Sequence, residues 1–472
     1  MSPSTYLEDE SSDGAAFVPS LVGPEKDVEK AEVEEDPNID GGYAYFIILA
    51  SFLLNFCTWG MNSGFAIYFA YYLNNDTFEG ATKIDYSYIG GMAFGVGLFF
   101  APVINYIQGL IGTRPTIIVG NCLQFTALML ASWSRSLWQL YLTQGLMQSF
   151  GLAFISLPSL SLLPQWFKKK RTFASGLATA GSGAGGVVFN LGMQKVLSSR
   201  SVFWALRCQS IIGFGVAWIA ILMIRTRTKQ HHIEFSVWDS QCVSCGGFWL
   251  LAFYLITCMF GYVILLYTLA NFTTSLGYSE YQGSIVSAMV QVGSVLGRPI
   301  VGLASDKLGP CTVASSCYYI VAIFCLAMWI PARNYATVII FALIEGSLMG
   351  TVYGTLAPIV AHLVGMPKLN VTFCMLWLFV GAAGVFSPVI GVKLTAGAGN
   401  EIDPTRYRNC SIFAGVAFFA CATSMLLLRG FLKAREELIE SEKDADEGGQ
   451  LYVFVKPTSM LRGCFKRTNT PA

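Results

Sequence analysis

Twelve apolar runs, each near twenty residues long, constrain this chain more than any other feature. They cover 45–71, 88–109, 115–133, 138–163, 173–195, 204–224, 248–273, 282–304, 312–330, 336–362, 370–394 and 410–431. A hydrocarbon core of about 30 Å is crossed by about 20 residues of helix. The strands of an outer-membrane barrel alternate over about ten residues, and these runs do not. In lipid the backbone has no water to bond, so each run must close its hydrogen bonds internally as α-helix. An all-α membrane protein with twelve transmembrane helices is predicted. Composition agrees: 12% of residues are charged, where a soluble chain carries roughly a quarter.

The remaining charge is unevenly placed. Residues 1–39 hold eleven Asp and Glu against Lys26 and Lys30. So polar a segment buries too little apolar surface to offset its ordering entropy, and it reads as a disordered acidic tail. It has no basic stretch leading into an apolar one, as a signal peptide would. Basic residues in short loops set orientation. The dense cluster Lys168, Lys169, Lys170 and Arg171 abuts one membrane face. It predicts that face, and with an even helix count both tails, to be cytoplasmic. The expected membrane is the plasma membrane, with a vacuolar or other organelle membrane as the alternative. The expected organisation is a first six-helix bundle at 40–224, a connector at 225–247, a second bundle at 248–432 and a tail at 433–472.

The two halves echo one another. Pro102 and Gly112 in span two recur as Pro299 and Gly309 in span eight, 197 residues on. Gly91 with Gly95, and Gly293 with Gly297, are small-xxx-small pairs that let helix backbones approach closely. Internal symmetry of this kind is common in transporter folds. It makes the prediction two pseudo-symmetric six-helix bundles.

Few residues offer chemistry. Thirteen cysteines are dispersed, mostly in apolar runs, where they serve as small packing residues rather than a disulfide framework. Cys242 and Cys245 follow His231 and His232 at a spacing irregular for zinc. No metal and no cofactor are expected, and a net charge of +1 gives no reason to expect nucleic acid. Gly181-x-Gly183-x-Gly185-Gly186 lies inside a span, so it reads as close helix packing rather than a dinucleotide loop. No catalytic triad, carboxylate pair or nucleotide loop is present, so an enzyme is not expected. Ionisable groups inside spans are expensive and mark pathways or partners. Arg298 and Glu345 are therefore the leading candidates for substrate contact. Asn62, Asn271 and Gln291 follow as polar residues of the spans, and Tyr353 and Trp377 as rings able to stack a flat solute. The expected partners are a small organic solute and the lipid bilayer, with a proton as the conceivable coupling ion. The functional unit is expected to be a monomer.

Three motifs resemble those of a known family. Asp40-Gly41-Gly42-Tyr43-Ala44-Tyr45, before span one, resembles the opening signature of the monocarboxylate porter family of the major facilitator superfamily. Trp166-Phe167, Lys168 to Arg171 and Thr172 through Gly176 to Gly181 resembles its second signature. Gly297-Arg298-Pro299 through Gly302 to Asp306-Lys307-Leu308-Gly309 resembles the superfamily loop motif between spans eight and nine. The resemblance spans about 40–435 and is similar to the yeast monocarboxylate-transporter homologues, which include a riboflavin facilitator. It implies the major facilitator fold, a central cavity and alternating access. Loop charges between spans can form alternate ion pairs in two states, so the Lys168–Arg171 cluster and Asp306 are expected to govern topology and the inward–outward balance rather than contact cargo. The proton–lactate carriers of that family have a Lys in span one and an Asp four residues before the Arg of span eight. Ser63 and Ser294 stand at those positions here. The expected function is secondary transport of a small organic solute, riboflavin-like or other, but not proton–lactate symport. A nutrient sensor that keeps the fold without moving cargo is the competing expectation.

Overall fold

The computed structural model describes residues 41–75, 77–225, 236–395, 403–441 and 455–465. Asp40, the whole acidic tail, the His231-His232 pair and much of the C-terminal tail lie outside them. Among the described residues there is no β-strand. Among the described residues twelve helical rods appear where twelve runs were predicted. They are α1 at 44–74, α2 at 83–111, α3 Thr113–Ala131, α4 Leu137–Trp166, α5 Arg171–Ser199 and α6 Val202–Met223. The second six are α7 Gly246–Ser275, α8 Glu280–Leu308, α9 Pro310–Trp329, α10 Tyr335–Val364, α11 Leu369–Leu394 and α12 Arg408–Ser441.

Among the described residues nine helices are both long and apolar enough to cross a bilayer, and α2 adds a tenth as a bent pair. The other two rods, α3 and α5, have 19 and 29 residues. They reach about 28 and 43 Å at 1.5 Å per residue. Their length suffices; Arg114, Asn121 and Gln124 with three threonines dilute the hydropathy of α3, and glycine, serine and threonine that of α5.

Local breaks have local causes. In α2 the rod bends by 52° between Phe99 and Ala101, where Pro102 opens the second piece without an N–H to donate. Its counterpart α8 runs unbroken through Pro299, so the sequence echo is not matched in shape there. It is matched in the turns. Gly112 and Gly309 end their rods at φ 92° and 89°, a backbone region where a Cβ is unfavourable. The rod α1 is interrupted at Thr58 and again at Gly64. The rod α10 is interrupted at Gly350. Wider π-type turns occupy Tyr141–Met147 of α4 and Cys325–Trp329 of α9.

Most of the buried apolar residues fall into two clusters. One is built by residues 50–224 and the other chiefly by residues 245–432, joined by Trp59, Phe94 and a few neighbours from the first half. The halves meet along two principal seams, α5 against α8 and α2 against α11. Small residues make both possible. A Cβ on Gly181 or Gly185 would strike the carbonyls of Phe52 and Phe56 in α1, and one on Gly183 would strike that of Gln291 in α8. The glycine run of α5 is therefore a two-sided packing surface.

The end of α12 continues past the predicted limit of 431 to Ser441. Arg435 explains part of this. Its Nη1 donates to the Leu363 carbonyl at 2.8 Å and its Nη2 to that of His362 at 3.2 Å, capping the C-terminus of α10. A further helix, α13 Pro457–Phe465, packs on α12 where Gly463 meets Gly430.

Candidate functional site

The interruptions in α1 and α10 fall beside a cavity of about 750 Å³. It is lined by α1, α2, α5, α7, α8 and α10, and its rim carries Lys83, Ser198, Thr274, Glu280 and Asp403. Those rim residues sit at the loops 1–2, 5–6, 7–8 and 11–12, so the cavity opens at one face only. The opposite face, bearing Lys168–Arg171 and Asp306, is shut.

Arg298 lies at the closed end and is 5% exposed. Its Nη1 donates to the Thr179 carbonyl and to Ser182 Oγ, both at 2.6 Å. Its guanidinium lies 5.2 Å from the centre of the Tyr353 ring. Gly350 makes room for it, because a Cβ there would stand 2.5 Å from Arg298 Nε. No carboxylate pairs with Arg298 among the described residues. A buried charge without a counter-charge is costly, and cation–π contact with one ring offsets only part of that.

Around the arginine lies an aromatic floor. Trp59 is 5.6 Å from Tyr353 and 5.2 Å from Phe94, and Tyr262 is 5.6 Å from Tyr353. All four rings line the cavity. Higher up the lining is amide-rich, with Asn62, Asn190, Gln194, Asn271 and Gln291.

Of the residues singled out from sequence, Arg298, Asn62, Asn271, Gln291 and Tyr353 line the cavity. Two do not. Trp377 stacks behind the floor, 6.0 Å from Trp59 and 6.1 Å from Tyr353. Glu345 is fully buried inside the second half, facing the π turn of α9, where Cys325 Sγ donates to its Oε1 at 3.8 Å. Trp59, Tyr262 and Ser182 were not singled out. Nothing in an apolar run marks which side of a lipid-embedded helix turns inward.

The shut face is held at the α5–α8 seam. Asp306 Oδ1 accepts from the Thr172 N–H at 3.0 Å and Oδ2 from the Phe173 N–H at 2.9 Å. These are free donors of the first turn of α5, where the helix dipole also favours a negative charge. On the same face Lys368, just before α11, pairs with Asp239 at 2.9 Å. Asp239 is part-buried, and burial alone raises its carboxyl pKa. Hydrogen bonds from Lys368 and the Gln241 N–H outweigh that and hold it below the usual range. Among the described residues no cluster of three or more His, Cys, Asp or Glu groups is arranged to hold a metal; Cys242 bonds with Thr372 instead.

Twelve rods around a cavity open at one face define a membrane solute transporter. The family model of the Major Facilitator Superfamily matches residues 47–388 and 250–466, and the chain belongs to that superfamily. It is 47% identical over 437 residues to the probable transporter MCH2 of Saccharomyces cerevisiae, covering 92% of each chain. It is 31% identical to the uncharacterized transporter ESBP6 of the same yeast, over 86% of this chain and 62% of that one. It is 25% identical to the agnestins efflux protein AgnL12 of Paecilomyces divaricatus, over 82% and 87%. The resemblance read from the signature motifs is borne out.

Proposed function

We propose that this protein carries a small organic anion by alternating access, with Arg298 as the anchor for the anionic group. The observation that carries the proposal is a 5% exposed arginine at the floor of the cavity, without a carboxylate partner among the described residues. An arginine keeps its charge at any physiological pH, so it attracts an anion without shuttling a proton. The proposed orientation puts the Lys168–Arg171 face and both termini in the cytoplasm, which makes the open face external. The plasma membrane is the proposed location.

The proposal excludes the proton–lactate route of the family. Ser63 Oγ donates to the Gly60 carbonyl at 2.7 Å and Ser294 Oγ to that of Gly346 at 3.0 Å. Neither hydroxyl titrates near neutrality, so the lysine and aspartate of that route have no replacement at their positions. Glu345 does not line the cavity, and this weighs against its serving as a carrier in direct exchange with cargo.

The test is uptake of labelled anions by purified protein in liposomes, with and without a pH gradient. Wild type should exchange an organic anion that Arg298→Gln does not, and an imposed pH gradient should not drive accumulation. Glu345→Gln should leave equilibrium exchange intact. Robust proton-driven lactate accumulation that survives Glu345→Gln would overturn the proposed mechanism. Cysteine labelling from outside intact cells should reach 74–86 and not 225–247.

A further inference from the structure

Several buried polar side-chain atoms lack a hydrogen-bond partner among the described residues, and only three of them belong to residues that line the cavity. They are Arg298 Nε, Trp59 Nε1 and Asn62 Oδ1. Leaving such atoms unmet costs about 1–3 kcal/mol each. Trp59 and Asn62 stand three residues apart, hence on one face of a helix. Both sit in the five-residue segment Trp59–Ser63 cut out of α1 by the interruptions at Thr58 and Gly64. Interrupted helices at mid-membrane are where transporters of other folds place cargo.

We propose that Trp59 and Asn62 form a second, uncharged half of the binding site, which reads a hydroxyl group on a ring-bearing carboxylate. This rests on the organic-anion reading of Arg298. A hydroxyl both donates and accepts. One such group can accept from Trp59 Nε1 and donate to Asn62 Oδ1, meeting both orphaned atoms together. Both atoms are covered in this open state, so the hydroxyl reaches them as the two side chains turn and the cavity closes on its cargo. The Tyr353 ring neighbours both parts of the site, 5.2 Å from the Arg298 guanidinium and 5.6 Å from the Trp59 ring. A cargo ring lying over Tyr353 would place a carboxylate at one end and a hydroxyl at the other. The cavity of about 750 Å³ is sized for such a molecule, since sites of roughly 300–1,000 Å³ take drug-sized ligands. A three-carbon hydroxy acid would leave most of it wet.

Calorimetric titration of the full-length protein in nanodiscs tests this with three probes: 3-(4-hydroxyphenyl)propanoate, 3-phenylpropanoate and lactate. The hydroxylated probe should bind about tenfold tighter than its unhydroxylated twin, the yield of one well-met polar group. Lactate should bind weakest. Trp59→Phe keeps the ring and removes the N–H, and Asn62→Ala removes the acceptor. Each should abolish the tenfold difference, so that the two aromatic probes bind alike in that variant, because the unhydroxylated probe meets neither atom. Asn62→Ser serves if the alanine variant does not fold. Arg298→Gln should weaken both aromatic probes alike. Binding that depends on Arg298 but ignores the hydroxyl, or a Trp59→Phe loss equal for both probes, overturns the two-part site alone. Absence of any Arg298-dependent binding overturns the anion reading and this proposal with it.

Discussion

The two seams that join the halves are built differently, although the halves echo each other in sequence. Along α5–α8 a carboxylate from one half bonds the helix N-terminus of the other, through Asp306 to Thr172 and Phe173. Along α2–α11 the position 197 residues before Asp306 is Gly109, which has no side chain to bond anything. That seam is held by shape instead. Gly91 and Gly95 lie against the backbone of Val385 and Gly381, and Gly384 against the Phe94 ring. The start of α11 is tied sideways, from Lys368 to Asp239 of the connector. One seam thus closes by charge meeting a helix dipole and the other by small residues meeting backbone. Charge acts over a distance and tolerates a gap, whereas close packing fails once a single methylene intrudes.

The largest effect should come from the packed seam. Gly95→Leu puts a side chain where the Gly381 carbonyl and the Val385 backbone already stand. Overpacking costs about 1–3 kcal/mol, here paid in the closed state alone. Transport should fall more than tenfold, and cysteine labelling should report the opposite face opened. Unchanged transport would mean that α2–α11 is not a closing surface.

Asp306→Asn should come next. A charged hydrogen bond contributes about 1.5–3 kcal/mol, and asparagine keeps one acceptor of the two. The outward–inward equilibrium should shift about tenfold towards the other state, seen as a changed maximal rate at nearly constant affinity. A pure loss of affinity would place Asp306 among the cargo contacts and break the comparison.

Gly109→Asp tests whether the seams can be made alike. If the echo of 197 residues holds in space, a carboxylate there would meet the start of α11 as Asp306 meets that of α5, and an anion near a helix N-terminus is worth about 0.3–1 kcal/mol. The closed face should become two- to fivefold more populated, with slower turnover. A faster carrier would show that the halves do not share this geometry.

The smallest effect belongs to Asp239→Asn. The Lys368 pair is part-buried on the loop face, so its loss should lower stability by about 1 kcal/mol or less. Because the folded-state pKa of Asp239 is depressed, its contribution is complete above the unfolded carboxylate range. It disappears as pH falls through the lower folded value. Melting curves of wild type and Asp239→Asn should therefore differ at neutral pH and converge in acid.

Much of the architecture was legible in advance. Twelve runs became twelve rods, because a lipid-embedded backbone has no alternative to closing its own hydrogen bonds. Gly112 and Gly309, paired in the sequence 197 residues apart, also match in shape, each ending its rod at positive φ. The glycine run 181–186 became a packing surface for the same local reason. The continuation of α12 to Ser441 was not legible, since Arg435 finds its partners on α10, a contact distant in sequence.

The composition of the site was decided only by tertiary structure. Arg298, Ser182, Trp59, Tyr262 and Tyr353 come from five different helices, and no spacing in the chain connects them. In a soluble helix an apolar stripe tells the inward face from the outward one. Here lipid and protein interior are both apolar, so that stripe vanishes, and with it the sign that would turn Trp59 inward or Glu345 away. What remained to fix those directions was glycine making room across helices, Gly350 for the Arg298 side chain and Gly346 for the Val290 carbonyl. The sequence by itself determined how many helices cross the bilayer and where they turn; their rotation, and therefore which polar groups share the cavity, follows from packing between residues far apart in the chain.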